Sequence, residues 1–287
     1  TSFAKFRVDG PDAEGLLQRL SANDLAVAPG RIVYTQWLNR KGGIEADLTI
    51  TRLGEASFMV VTSAASATRD WAWLNRHKQA SDRVALIDMT SAEAVLGLMG
   101  PLSRALLQRL TDTDLANAAF PFAHARTLDL GAARVRACRI TYVGELGWEL
   151  YIPSEYARGF LDLLLTEGKR FGLRLAGYHA LDSLRMEKGY RHWGHDIGDE
   201  DTPIEAGLGF ACRIDKNSGF IGQEALRGQR GAGVTKRLVQ FALDDPQPLL
   251  YHYEPIWRDG ERAGYITSGA YGHSLGRALG LGYVRRQ

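Results

Sequence analysis

The chain has 287 residues, 45% of them hydrophobic and 24% charged, which is ordinary globular composition with length enough for two or three cores and excludes a disordered protein. Thirty-five Lys and Arg against 33 Asp and Glu leave a net charge of +2, so no global field singles out nucleic acid or an anionic membrane as partner. No apolar run approaches the ~20 residues of a membrane span, and the opening TSFAKFRVDG lacks the apolar core of a signal peptide.

Residues 3 to 8 alternate as a strand, and PDAEGLLQRLSAND follows with Leu16, Leu17 and Leu20 at helical spacing. RIVYTQWLN, a KGG turn, ADLTITRL and ASFMVVTS read as a strand, a reversal and two further strands, because β-branched and aromatic residues fill the stretches between Gly-bearing breaks. ATRDWAWLNRHK reads as a helix with Trp71 and Leu74 on one face. ALIDMTSAEAVLGLMGP reads as a strand pair, and PLSRALLQRL as a short helix opened by Pro101.

RVRACRITYVGELGWELYIP is the clearest hairpin pattern: two apolar strands flank VGELG, where Gly144 and Gly147 can supply the positive φ of a tight reversal. SEYARGFLDLLLTEGKRFG is an amphipathic helix that Ser154 can cap, and AGYHALDSLRMEKG a second helix stopped at Gly189. From about residue 234 the pattern is all strand, with Asp259 and Gly260 as a hairpin turn, which predicts a separate small β domain. Helices and hairpins are mixed without a regular βαβ series, so the fold class is α+β. Both ends fall within strand-like segments, TSFAKFRV and GLGYVRRQ, the pattern of a piece of a longer polypeptide.

The candidate chemical residues are acids and aromatics near glycine turns. Asp47 lies inside the apolar strand ADLTI, where an acid is out of place for strand propensity; a solvent-facing edge and a pocket both accommodate it. Glu145 and Glu149 flank the VGELG reversal. Glu149 alternates with Trp148, which turns it either inward on the other face or out to solvent. The cluster GYRHWGHDIGDED holds His192, His195, Asp196, Asp199 and Asp201, but Gly194 and Gly198 argue for a loop and no cysteine is near, so loop histidines satisfying backbone groups are the expectation and no metal is assigned. Ser183 has no GxSxG elbow, GAGV at 231 to 234 is no dinucleotide fingerprint, and Cys138 and Cys212 read as buried free thiols of a reducing compartment.

Several longer runs carry a resemblance. VRACRITYVGELGWELYIP, AGYHALDSLRMEKGYRHWGHDI, DTPIEAGLGFACRID and GFIGQEALRGQRGAG, with SANDL and WLNRKGGIEADLTITRL upstream and ITSGAYGHSLGRALGLGYV downstream, resemble the glycine cleavage T-protein (aminomethyltransferase) family in order over nearly the whole chain. Within it they look most like the folate-binding carboxy-terminal region of sarcosine dehydrogenase and dimethylglycine dehydrogenase.

The resemblance implies a three-domain cloverleaf around tetrahydrofolate: residues 1–233 as a folate-binding region of two intertwined subdomains, the smaller roughly 50–138, and residues 234–287 as a truncated β-barrel-like domain. It implies Asp47 as the catalytic acid, in a GG-x-x-DDL motif whose first aspartate is replaced here by Ala46, and Tyr34, Tyr142 and Glu149 as folate-binding residues. One family position, an arginine contributing to folate binding, is Leu181 here, which agrees better with the sarcosine dehydrogenase branch.

The implied activity is formation of 5,10-methylenetetrahydrofolate from the iminium or formaldehyde product of sarcosine or dimethylglycine oxidation. FAD would act only through a flavin dehydrogenase domain absent from this chain. A non-catalytic regulatory module and a stand-alone T-protein are the alternatives. A cytoplasmic location is expected, or the mitochondrial matrix in a eukaryote.

Overall fold

The computed structural model describes residues 3–286, which build three antiparallel sheets. The first contains β1 (Phe3–Asp9), β2 (Ile32–Leu38), β3 (Ile44–Gly54), β4 (Ser57–Ser63) and β5 (Ala85–Asp88), ordered β2-β3-β4-β1-β5. Alternation sorts its side chains onto two faces. Phe6, Val8, Trp37, Leu48, Ile50 and Val60 point one way and are covered by α1 (Ala13–Leu20) and α2 (Ala67–His77), through Leu16, Leu17 and Leu74. Trp71 of α2 tilts against Phe6 at a ring distance of 5.0 Å. The opposite face carries Ile32, Tyr34, Gln36, Asp47, Thr49, Thr51, Met59 and Val61, and Ile32, Met59 and Val61 pack against Cys138 and Tyr151 of the second sheet.

That second sheet is β6 (Glu93–Met99), β7 (Ala125–Leu130), β8 (Ala133–Cys138) and β9 (Gly147–Pro153), ordered β6-β9-β8-β7. Its outer face buries Leu128, Val135, Trp148, Leu150 and Ile152 under α3 (Ser103–Gln108) and α4 (Ala157–Gly168). Two sheets thus face each other with helices outside, and the inner-face polar residues of both meet in the space between them.

The third sheet is β10 (Lys236–Ala242), β11 (Pro255–Arg258), β12 (Glu261–Gly272) and β13 (Arg277–Arg285), ordered β10-β13-β12-β11. Among the described residues β10 and β11 are its free edges, so the small β domain is an open sheet and not a closed barrel. Asp259 and Gly260 both have positive φ, 53° and 80°, the signature of a two-residue hairpin between β11 and β12. α5 (Tyr178–Glu187) lies on this sheet through Met186, and α6 (Gln223–Ala232) packs Leu226 into a cluster with Leu38 and Ile44 at the end of the first sheet.

Four local expectations are corrected. The pair within 85–99 is split between sheets: β5 joins β1 in the first, whereas β6 joins β9 in the second. The VGELG reversal is not tight, because Cys138 pairs with Glu149 and the eight residues between β8 and β9 form a loop. Gly144 takes the positive φ, 71°, whereas Gly147 is needed for a close approach, since a Cβ there would lie 2.5 Å from the Leu98 carbonyl of β6. Ser154 does not cap α4; its hydroxyl donates to the Ser91 carbonyl at 2.6 Å and the helix begins after Tyr156.

Candidate functional site

The KGG turn fixes where β3 begins. Asn39 Oδ1 accepts from the backbone of Lys41 and Gly43, and Gly43 runs so close to Asp199 that a Cβ would meet its carbonyl at 1.8 Å. From that anchored start, Asp47 falls on the inner face, directly opposite Gln36 of β2. Gln36 Nε2 donates to Asp47 Oδ1 at 2.9 Å, and the Tyr34 hydroxyl also hydrogen-bonds the carboxylate. Burial pushes the Asp47 carboxyl up to about 6, while the bonds from Gln36 and Tyr34 and the nearby Arg191 guanidinium act the other way.

Tyr142 lies in the loop after β8. Its hydroxyl donates to the Arg191 carbonyl at 2.7 Å and its ring stacks on Tyr190 at 6.0 Å. Burial raises its pKa, with the Asp47 charge a lesser contributor, so Tyr142 and Asp47 are near neighbours. Phe210, which is 77% exposed, tilts toward Tyr34 at 6.1 Å. Tyr34, Asp47 and Tyr142 are therefore near neighbours.

Glu149 occupies the facing sheet. Trp148 enters the outer core, so strand parity turns Glu149 inward, beside Cys138 and Gly97. The Tyr151 hydroxyl donates to Glu149 Oε2 at 2.8 Å and is the only side-chain donor to that carboxylate among the described residues. Burial pushes Glu149 up to about 7 and the adjoining Cys138 thiol up to about 12. The Thr51 side chain of β3 hydrogen-bonds Cys138 across the gap. Asp47 lies four residues along β3 from Thr51, about 13 Å at the usual strand rise. The two acids thus come from facing strands, Asp47 from β3 and Glu149 from β9, and are offset along β3.

The histidine segment has another use. Asp196, fully buried, accepts from Arg185 Nη1 at 2.6 Å, Thr267 Oγ1 at 2.6 Å and the His192 backbone at 3.0 Å. Among the described residues no group of three His, Cys, Asp or Glu side chains is placed to hold a metal ion. Leu181 sits half-buried in α5, one turn before Arg185. A surface cleft of about 650 Å³, lined by Glu14, Gln18, Asp24, Arg213, Asp215 and Lys216, contains none of the four expected site residues. Gln36 and Arg191 are the contributors that sequence reasoning missed; strand parity with Tyr34 was the signal for Gln36, and nothing local marks Arg191.

Comparison with known proteins defines the class first. The glycine cleavage aminomethyltransferase T of Bartonella henselae superposes with a TM-score of 0.87 at 29% identity over 99% of this chain and 76% of that one, so the fold is the aminomethyltransferase α+β fold. Residues 1–216 match the GCVT N-terminal domain and residues 236–287 the glycine cleavage T-protein C-terminal barrel domain, and the chain belongs to the glycine cleavage T-protein family. Among curated relatives, 4-methylaminobutanoate oxidase (formaldehyde-forming) of Paenarthrobacter nicotinovorans is 44% identical over 97% of this chain and 34% of its own length. Human mitochondrial sarcosine dehydrogenase is 37% identical over 98% of this chain and 32% of its own. The chain spans about a third of the length of these two relatives. No helix among the described residues is long and apolar enough to cross a membrane.

Proposed function

We propose that the chain binds tetrahydrofolate between its first two sheets and catalyses one-carbon transfer to it, forming 5,10-methylenetetrahydrofolate. The supporting observation is the pair of inward acids, Asp47 and Glu149, which burial holds near 6 and 7 on facing sheets. A buried carboxylate with few donors is costly to ionise, and a ligand presenting N–H groups removes that cost.

The donor set fits a pterin. A pterin carries an amino group and a ring N–H side by side, one carboxylate accepts both, and Tyr151 leaves acceptor capacity on Glu149 for them. Tyr34 and Tyr142 offer aromatic surface beside Asp47. When bound, tetrahydrofolate supplies the nucleophilic nitrogens that take up a carbon at the oxidation level of formaldehyde. Asp47, at about 6, is largely ionised at neutral pH; it stabilises positive charge at the reacting amine and accepts its proton. The buried Tyr34 and Tyr142 rings beside Asp47 would shield the electrophile from water.

The proposed carbon source is the iminium or formaldehyde product of sarcosine or dimethylglycine oxidation, made by a flavin dehydrogenase unit outside residues 1–287. Relatives named a formaldehyde-forming oxidase and a sarcosine dehydrogenase support a donor of that kind. We further propose a domain break at residue 234, ahead of β10.

Titration calorimetry with tetrahydrofolate under nitrogen, followed by turnover with an enzymatically generated iminium and subtraction of the spontaneous reaction, tests the reading. Saturable binding and turnover above background are expected. Binding without turnover would leave an interaction module, and no binding would reject the reading outright.

A further inference from the structure

Gln36 has no place in the resemblance, yet it is the best-placed polar group beside Asp47. It is fully buried in β2, its Cα lies opposite that of Asp47, and its Nε2 donates to Asp47 Oδ1 at 2.9 Å. Its other end, Oε1, receives the Cys212 Sγ at 3.8 Å. A primary amide has a donor end and an acceptor end, so a thiol on the oxygen selects the orientation that points the NH₂ at the carboxylate. We infer that Gln36 is the positioning residue for Asp47, oriented by Cys212, holding one carboxylate oxygen so that the acid faces the reacting amine in its ionised form.

The inference rests on the folate reading above. The other titratable or charged groups facing Asp47 are Tyr34 of β2, Tyr142 of the loop after β8, Arg191 beyond α5, and Cys212 itself. Burial raises the thiol to about 12 and that of Tyr142 and Tyr34 above the ordinary range, so these three stay protonated at neutral pH. Arg191 directs Nε, Nη1 and Nη2 to the Gly189 and Ala206 carbonyls. It supplies charge without aiming the acid. Gln36 cannot titrate near neutrality and donates across the whole range, which a glutamate or a methionine in its place could not do.

The test is Gln36→Met, which keeps length and volume but removes the donor. In unliganded protein carrying ¹³C-labelled aspartate carboxyls, the resonance missing from Asp47→Asn reports the Asp47 titration. Its midpoint near 6 in the parent chain is expected to rise by about one pH unit in Gln36→Met, roughly tenfold in proton affinity. In turnover the acid limb of the pH profile should move by the same amount, with kcat lowered about tenfold at its plateau and KM within about twofold. An unmoved midpoint overturns the inference. Gln36→Asn, whose shorter amide withdraws the donor but stays polar, should show the same rise and decides the matter if Gln36→Met does not fold. The titration uses no folate, so a parent chain without turnover sinks the functional reading while the midpoint still judges Gln36.

Discussion

Replacing Glu149 by Gln exposes the conflict between folding and binding that a buried carboxylate creates. In the unliganded chain burial holds this acid at about 7 against an ordinary 4.5. The folded state thus keeps the proton more tightly than the unfolded one, so the associated stability is complete below 4.5 and is lost as pH rises through 7. That window corresponds to about 3 kcal/mol. The substituted amide carries no charge and still accepts from Tyr151, so the variant escapes this loss. Urea unfolding without ligand should show Glu149→Gln gaining on the parent chain by about 2 to 3 kcal/mol between pH 5 and pH 8. Tetrahydrofolate binding should move the other way, weaker by about 1.5 to 3 kcal/mol, or roughly 10- to 150-fold. Parent-chain affinity should also fall about tenfold per pH unit below 7, a dependence that Glu149→Gln abolishes. Glu145→Gln, in the loop, should change little in either assay. Equal stability changes at both pH values, or undiminished binding, would refute the assignment of Glu149 to the inner face as a ligand anchor.

Asp47→Asn should leave tetrahydrofolate binding nearly unchanged by calorimetry but slow methylenetetrahydrofolate formation by about 10² or more; a variant that fails to bind would make Asp47 an anchor instead. Arg185→Met strands the fully buried Asp196 charge and should cost about 3 to 5 kcal/mol in urea unfolding. Gly147→Ala drives a Cβ to within 2.5 Å of the Leu98 carbonyl and 2.4 Å of Met99 Sδ. It should cost about 1 to 3 kcal/mol, read in the same assay. Binding of tetrahydrofolate should be identical with and without a chelator, because its proposed partners are carboxylates and aromatic rings.

What was legible in the sequence was what is local. Alternation in RIVYTQWLN and ADLTITRL fixes which residues share a face, and the short KGG turn between them brings Tyr34 and Asp47 to the same side of one hairpin. The Asp259-Gly260 turn needs positive φ at both positions, and that dipeptide tolerates it. Trp148 and Glu149 likewise part by parity alone. What escaped depends on partners distant in the chain. β7 follows a stretch without clear periodicity and is held by β8. Gly147 is demanded by β6, some fifty residues earlier, and Ser154 is drawn from its capping role by Ser91. Gln36 looks like an ordinary polar residue in a strand until β3 brings Asp47 opposite. That the inward face carrying Glu149 looks onto the first sheet depends on two sheets facing each other, which no window of sequence contains.

The third sheet contributes no acid to the candidate site, yet it holds the site's wall in place. Thr267 and Ser268 of β12 bond the buried Asp196 and Arg185, and Arg185 Nη1 also donates to the Tyr190 carbonyl at 3.1 Å. Tyr190 stacks on Tyr142, and Tyr142 in turn bonds the carbonyl of Arg191, whose charge helps keep Asp47 ionised. Apart from the Tyr190–Tyr142 stacking, each link is a buried or half-buried polar contact, and matched donors and acceptors are the condition under which such a network rigidifies a structure rather than weakening it. The buried ion pair is weak evidence for stability by itself, since a well-packed apolar pair of the same volume would often do as well. Its value here is geometric: it ties an otherwise irregular loop, carrying Arg191 beside Asp47, to a helix and a sheet that share a core of their own. The acids come from the first two sheets, and the third supplies the frame that fixes their surroundings.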